Sequence, residues 1–201
     1  NNSPGGANRV MGFTTCFIAV LNMCVLIISP ELIKIVASEK YADAVWLMPP
    51  IICSLLIIFI YQQFLNIHFY FGENKIVFTA SIVAAGLNLA LNYLFIHLVG
   101  YIAAGYTTLA SYLIIMVMYY LTMKRIAARE GIDYKRYFNT LIMFGVVMAF
   151  ACLTVFVTFL YPYPAIRYAI VIIGCFICWL LRKQIILFVK KTKLLKGDID
   201  R

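Results

Sequence analysis

The polar groups that fall well inside the long apolar runs of this 201-residue chain are chiefly neutral amides and hydroxyls. One run carries Gln62 and Asn66, four residues apart and therefore on one face of a helix. The next carries Asn88 and Asn92 at the same spacing, with Ser81, Ala84, Ala85 and Gly86 close by. A third opens with Ala103-Ala104-Gly105 and continues through Thr107, Thr108 and Ser111. In a hydrocarbon setting such groups do one of two things. They bond across closely packed helices, aided by small neighbours, or they line a polar cavity that passes a sugar or a lipid headgroup. Gln62, Asn66, Asn88, Asn92, Thr108 and Ser111 are the candidate cavity-lining residues, and both readings stand.

Chemistry of other kinds finds little support in the residue types. The chain has no H-E-x-x-H pair for a metalloprotease and no G-x-S-x-G nucleophile elbow. No Asp, Glu, Lys or Arg is expected well inside a span, where ion-coupled pumps and intramembrane enzymes place them. His68 and His97 fall near span ends and read as interfacial or structural. The six cysteines (Cys16, Cys24, Cys53, Cys152, Cys175 and Cys178) all lie in apolar runs, where a thiol behaves as a small hydrophobe. Cys175-x-x-Cys178 lacks the second Cys or His pair that a zinc site needs. The expectation is therefore no disulfide, no metal, no cofactor and no enzymatic activity.

The elements that must position the amides follow from composition. Hydrophobic residues make up 64% of the chain and charged ones 12%, with a mean hydropathy of +0.94. A soluble domain is about half apolar and about a quarter charged, so this chain cannot cover itself in water. A bilayer core needs about 20 apolar residues in a helix. Six stretches qualify, at about 11–28, 44–71, 76–98, 101–123, 137–160 and 165–181. Ser29-Pro30 is expected to stop the first. Pro49-Pro50 is expected either to bend the outer end of the second or to mark its start. A β-barrel would alternate apolar and polar residues, whereas Leu55-Leu56-Ile57-Ile58-Phe59-Ile60 is continuous. The fold class is all-α, a polytopic membrane protein of about six transmembrane helices.

Charge supplies the orientation. The formal net charge is +9. Its basic residues sit in short connectors rather than on one soluble surface, which argues against nucleic acid and for contact with anionic membrane lipids. With six spans, both termini share a side. Fourteen of the 17 Lys and Arg fall on it: Arg9, Lys75, five between Lys124 and Arg136, and seven from Arg182 onward. Only Lys34, Lys40 and Arg167 fall on the other. Both termini are therefore expected in the cytoplasm, with outer connections at about 29–43, near Val99-Gly100 and at about 161–164. The basic tail, 182–201, reads either as a helix on the inner leaflet or as the frayed end of span six. The opening Asn1-Asn2-Ser3-Pro4-Gly5-Gly6 has neither an initiator Met nor a signal-peptide n-region, and the chain reads as a piece of a longer protein.

Two stretches resemble a known family. The first is Ser29-Pro30-Glu31-Leu32-Ile33-Lys34-Ile35, then Lys40-Tyr41-Ala42-Asp43-Ala44, then Pro49-Pro50-Ile51. The second is Leu87-Asn88-Leu89-Ala90-Leu91-Asn92-Tyr93-Leu94-Phe95-Ile96, followed by Gly100-Tyr101-Ile102-Ala103-Ala104-Gly105-Tyr106-Thr107-Thr108. In this order and spacing they are similar to the bacterial polysaccharide flippases, the polysaccharide transport branch of the multidrug/oligosaccharidyl-lipid/polysaccharide exporter superfamily. The departure is Ile96-His97-Leu98-Val99 before Gly100, where the family usually has Ile-Pro or similar.

The resemblance implies the C-terminal part of a two-lobe transporter in the bacterial cytoplasmic membrane. Its substrate would be an isoprenoid-diphosphate-linked oligosaccharide, moved by alternating access. A missing N-terminal lobe would be the partner and would hold the cations that grip the diphosphate, so this piece alone should not transport. The alternatives are a multidrug/cation antiporter of the same superfamily and a non-transporting membrane scaffold or inactive truncated product.

Overall fold

The computed structural model describes residues 4–37, 39–134 and 140–174. Among them there is no strand. Helix α1 runs Pro4–Val36 and is followed by a 3-10 segment, Glu39–Leu47. Then come α2 (Met48–Tyr70), α3 (Asn74–Val99), α4 (Ala103–Arg129), α5 (Thr140–Phe159) and a shorter apolar helix, α6 (Pro164–Gly174). By length and composition, five of these helices can cross a membrane: Met11–Val36, Tyr41–Tyr70, Asn74–Val99, Ala103–Arg129 and Thr140–Phe159. The chain is thus an all-α, multi-pass membrane protein. The second half of the expected sixth span, Cys175, Cys178 and the 182–201 tail lie outside the described residues. The four described cysteines are free thiols.

Local sequence explains where the helices stop. Two turns are built alike. After α2, Gly72 takes φ +70°, its N–H donates to the Phe69 carbonyl, and the Glu73 N–H reaches back to His68 at 2.8 Å. After α4, Gly131 takes φ +67°, its N–H donates to Ala128, and the Ile132 N–H reaches Ala127 at 2.9 Å. Both are Schellman caps, which satisfy the last carbonyls of a helix and need the left-handed conformation glycine tolerates. Across Ile96-His97-Leu98-Val99, α3 continues without a break, and the Gly100 N–H closes on Ile96 at 2.9 Å.

Pro49 and Pro50 lie in the first turn of α2, where the missing N–H groups have no helical partner to lose. The prolines start this helix rather than bend it. Pro30 behaves differently from expectation. It lies inside α1, which carries on to Val36, and the reason emerges at the candidate site.

Helix α2 occupies the centre. Its buried stripe, Ile52, Leu56, Ile60, Phe64 and His68, recurs every four residues. Facing it from α4 are buried Ile115, Met116, Tyr119 and Met123. Rings stitch the two helices together: Tyr61 lies 6.2 Å from Tyr112 and 5.7 Å from Tyr119, and Phe64 lies 5.6 Å from Tyr120. At the other end, Gly105 lets α4 approach the start of α2. A Cβ there would come within 2.9 Å of Pro50 Cγ and 3.1 Å of Leu47 Cδ2.

Helix α3 packs mainly on α4, while α1 and α5 pack on α2 and on each other. Large apolar side chains point outward all around, among them Phe78, Leu89, Tyr93, Leu141 and Phe159. In a bilayer that surface is matched to its solvent.

Candidate functional site

The buried residues of α3 are Ala80 and Ala84. Asn88 and Asn92 continue the same four-residue stripe, so one helix face goes from small to polar along its length. Opposite lie Thr107, Thr108 and Ser111 of α4. Asn88 Nδ2 donates to Thr108 Oγ1 and Ser111 Oγ, each at 3.4 Å. Asn92 Nδ2 donates to Asn88 Oδ1 at 3.0 Å, and the Thr107 hydroxyl contacts Asn92 Oδ1. Ser111 Oγ closes on its own helix at the Thr107 carbonyl, 2.8 Å away. The structure therefore joins four of the six sequence candidates, Asn88, Asn92, Thr108 and Ser111, in one chain of bonds across the α3–α4 seam. Thr107 is the link that the candidate set omits.

The other two candidates stand apart from that chain. Gln62 and Asn66 are exposed on α2, and neither side chain has a hydrogen-bond partner among the described residues. Their neighbour Gln63 folds back toward the Phe59 carbonyl at 3.5 Å. An amide left without a partner in hydrocarbon costs several kcal/mol, on the order of 4–8 by transfer to an alkane. The α2 face bearing Gln62 and Asn66 thus calls for water, a polar ligand or more protein.

His68 is fully buried in the α2–α4 contact. Its Nδ1 lies 3.1 Å from the Phe64 carbonyl and its Nε2 lies 2.7 Å from Thr122 Oγ1. Thr122 Oγ1 also donates to the Met118 carbonyl at 2.8 Å, so the ring, the hydroxyl and two helix carbonyls form one contact network. The ring edge also meets Tyr119 at 5.3 Å. The histidine is a core residue with every nitrogen occupied.

A second polar cluster corrects the expectation that the first helix ends at Ser29-Pro30. A proline inside a helix has no N–H for the carbonyl four residues back, and its ring loosens the next bond as well. For Pro30 those carbonyls belong to Leu26 and Ile27. Both have found donors. Ser29 Oγ donates to Leu26 O at 2.8 Å, and Arg167 Nη1 donates to Ile27 O at 2.7 Å. Helix α1 can therefore pass its proline without stranding buried carbonyls.

Arg167, only 3% exposed at its side chain, also holds Glu31 in a fork: Nη1 to Oε2 at 2.8 Å and Nη2 to Oε1 at 2.6 Å. Tyr168 donates to Glu31 Oε1 at 2.9 Å, and the hydroxyls of Ser29 and Tyr161 meet at 3.0 Å. Tyr161 lies in the α5–α6 connection, outside the spans. Burial pushes its phenol up from the ordinary value, and the bond to Ser29 opposes the shift. The sequence carried a signal for this cluster, because Arg167 is the only charged residue between 165 and 181 and needs a buried counter-charge.

Among the described residues no group of three or more His, Cys, Asp or Glu is placed to hold a metal ion. Comparison of the chain with protein-family models, with curated proteins and with solved structures found no match in any of the three.

Proposed function

We propose that this chain is part of a flippase that moves an isoprenoid-diphosphate-linked oligosaccharide across the bacterial cytoplasmic membrane by alternating access. In this reading it is a transporter, not an enzyme, with both termini in the cytoplasm and an N-terminal lobe of the same protein as partner. The resemblance across 29–111 suggests the class. The observation that carries the reading is the open amide face of α2, where Gln62 and Asn66 are exposed with no hydrogen-bond partner among the described residues. Sugars cannot shed their water into hydrocarbon unaided, and a polar-walled cavity removes that barrier while the isoprenoid tail stays in lipid. A helix that lines such a cavity carries unpaired amides on the cavity side.

The test is complementation of a polysaccharide-export mutant by the full-length gene. Surface polysaccharide should return with the wild type. It should fall sharply with the double variant Gln62→Leu, Asn66→Leu at equal membrane abundance. No restoration by a well-inserted wild type, or full restoration by the double variant, would sink the proposal.

One observation favours the second reading, a cation antiporter: α1 carries a carboxylate, Glu31, on a spanning helix. The Arg167 fork already neutralises that carboxylate, which leaves it poorly placed to exchange a cation.

A further inference from the structure

Two adjoining hollows run along the α3–α4 seam at the end where the α2–α3 turn meets the C-terminus of α4. The larger, about 300 Å³, has a mostly apolar wall and is lined by Lys75, Ile76, Thr79, Ala80 and Met118. The smaller, about 190 Å³, is lined by Glu73, Arg125, Ile126 and Arg129. Ile76 and Thr122 border both, so the two form one groove with an apolar half and a charged half. From Arg129 to Met118 the groove follows α4 for about 16 Å at 1.5 Å per residue. The charged half lies at the helix ends and the apolar half toward mid-span, the same order as the parts of a lipid in a leaflet.

Charge decides which lipid fits. Glu73 is already taken, 2.6 Å from Arg129 Nη1. Arg129 Nε turns to Glu130 at 2.9 Å. Lys75 from α3 and Arg125 from α4 have no carboxylate partner among the described residues. Two uncompensated cations thus flank the join between the hollows, one from each helix.

We propose that this groove seats one anionic phospholipid, its phosphate between Lys75 and Arg125 and the upper part of an acyl chain along Ile76, Ala80 and Met118. A soluble phosphate would leave the apolar half unused, and a zwitterionic lipid brings its own ammonium beside the phosphate and so compensates the two cations less. The site requires only that the chain spans a bilayer, and it stands apart from the transport reading.

The test is native mass spectrometry of the purified full chain with phosphatidylglycerol or phosphatidylcholine. The wild type should retain one phosphatidylglycerol in preference to phosphatidylcholine, with less retained as salt is raised. Lys75→Gln and Arg125→Gln should each weaken that association about fivefold, the worth of one basic residue at a membrane surface. The charge-keeping variants Lys75→Arg and Arg125→Lys should keep the preference. Thr79→Phe, which fills the larger hollow without altering charge, should weaken binding, and Lys34→Gln, on the opposite side by the positive-inside count, should not. Three results each overturn the proposal: undiminished binding by the double Gln variant, equal retention of phosphatidylcholine, or displacement by soluble glycerol phosphate as effective as by lipid. If the Gln variants fail to fold, the Arg and Lys swaps and the salt dependence still decide it.

Discussion

Arg167 of α6 spans 136 residues of sequence to hold Glu31 of α1 through two parallel contacts of 2.6 and 2.8 Å, while one of the same nitrogens fills a carbonyl that Pro30 has set free. One side chain therefore repairs a helix and pairs a charge. Arg167→Ala should lower the unfolding free energy in detergent by about 3 kcal/mol, the low end for breaking a buried pair, since Glu31 is 27% exposed at its side chain. Arg167→Lys should recover only part of this, because an ammonium cannot reproduce the two-pronged geometry. Equal stability of the Ala variant and the wild type would show the pair to be incidental.

The repair of the proline site has its own signature. Ser29→Ala strips the donor from Leu26 O and should cost about 1 kcal/mol. In a Pro30→Ala background the restored N–H serves that carbonyl, so the same change at Ser29 should cost measurably less. Tyr161→Phe isolates the separate hydroxyl contact. A double-mutant cycle on thermal unfolding reads the coupling, and a coupling near zero would refute the repair.

The amide chain across α3 and α4 should behave as modest glue. Asn92→Leu and Asn88→Leu are each expected to cost about 0.6 kcal/mol, with an upper bound near ~1.7, as for other bonds between membrane helices. Their effects should be less than additive, because Asn92 donates directly to Asn88. Unfolding titrations of the two single variants and the double variant check this.

Much of the fold was legible from residue pattern, and the reasons differ by element. The apolar runs place the starts of α2, α3 and α4 within four residues, because glycine or a first-turn proline bounds each one locally, whereas α4 runs six residues past the expected 123, through Lys124 and Arg125 to Arg129. Pro30 misled for the converse reason. Whether a proline ends a helix depends on whether its stranded carbonyls find donors, and one of those donors comes from residue 167. The same logic separates the candidate residues. Asn88 and Asn92 showed their shared face by spacing alone. That Thr107 links to Asn92, or that Gln62 and Asn66 find no partner among the described residues, depends on which helix packs opposite, and spacing within a single helix does not carry that information.

Orientation is open to direct measurement. In a full-length background cleared of native cysteines, Ala128→Cys and Gly197→Cys should react with an impermeant thiol reagent only after permeabilisation, and Ala42→Cys should react from outside. Labelling of Ala128 and Gly197 from opposite faces would remove the six-span topology on which the transport reading depends.

Trp46, in the 3-10 segment ahead of α2, lies 5.9 Å from the ring of Tyr161, whose hydroxyl meets Ser29. Phenol-to-indole energy transfer is efficient over so short a gap and fades as the rings part. With Trp179→Phe leaving Trp46 as the one indole, the loss of transfer on Tyr161→Phe gives the share of Trp46 emission that should register a parting of the α5–α6 connection from the 3-10 segment, without an added dye.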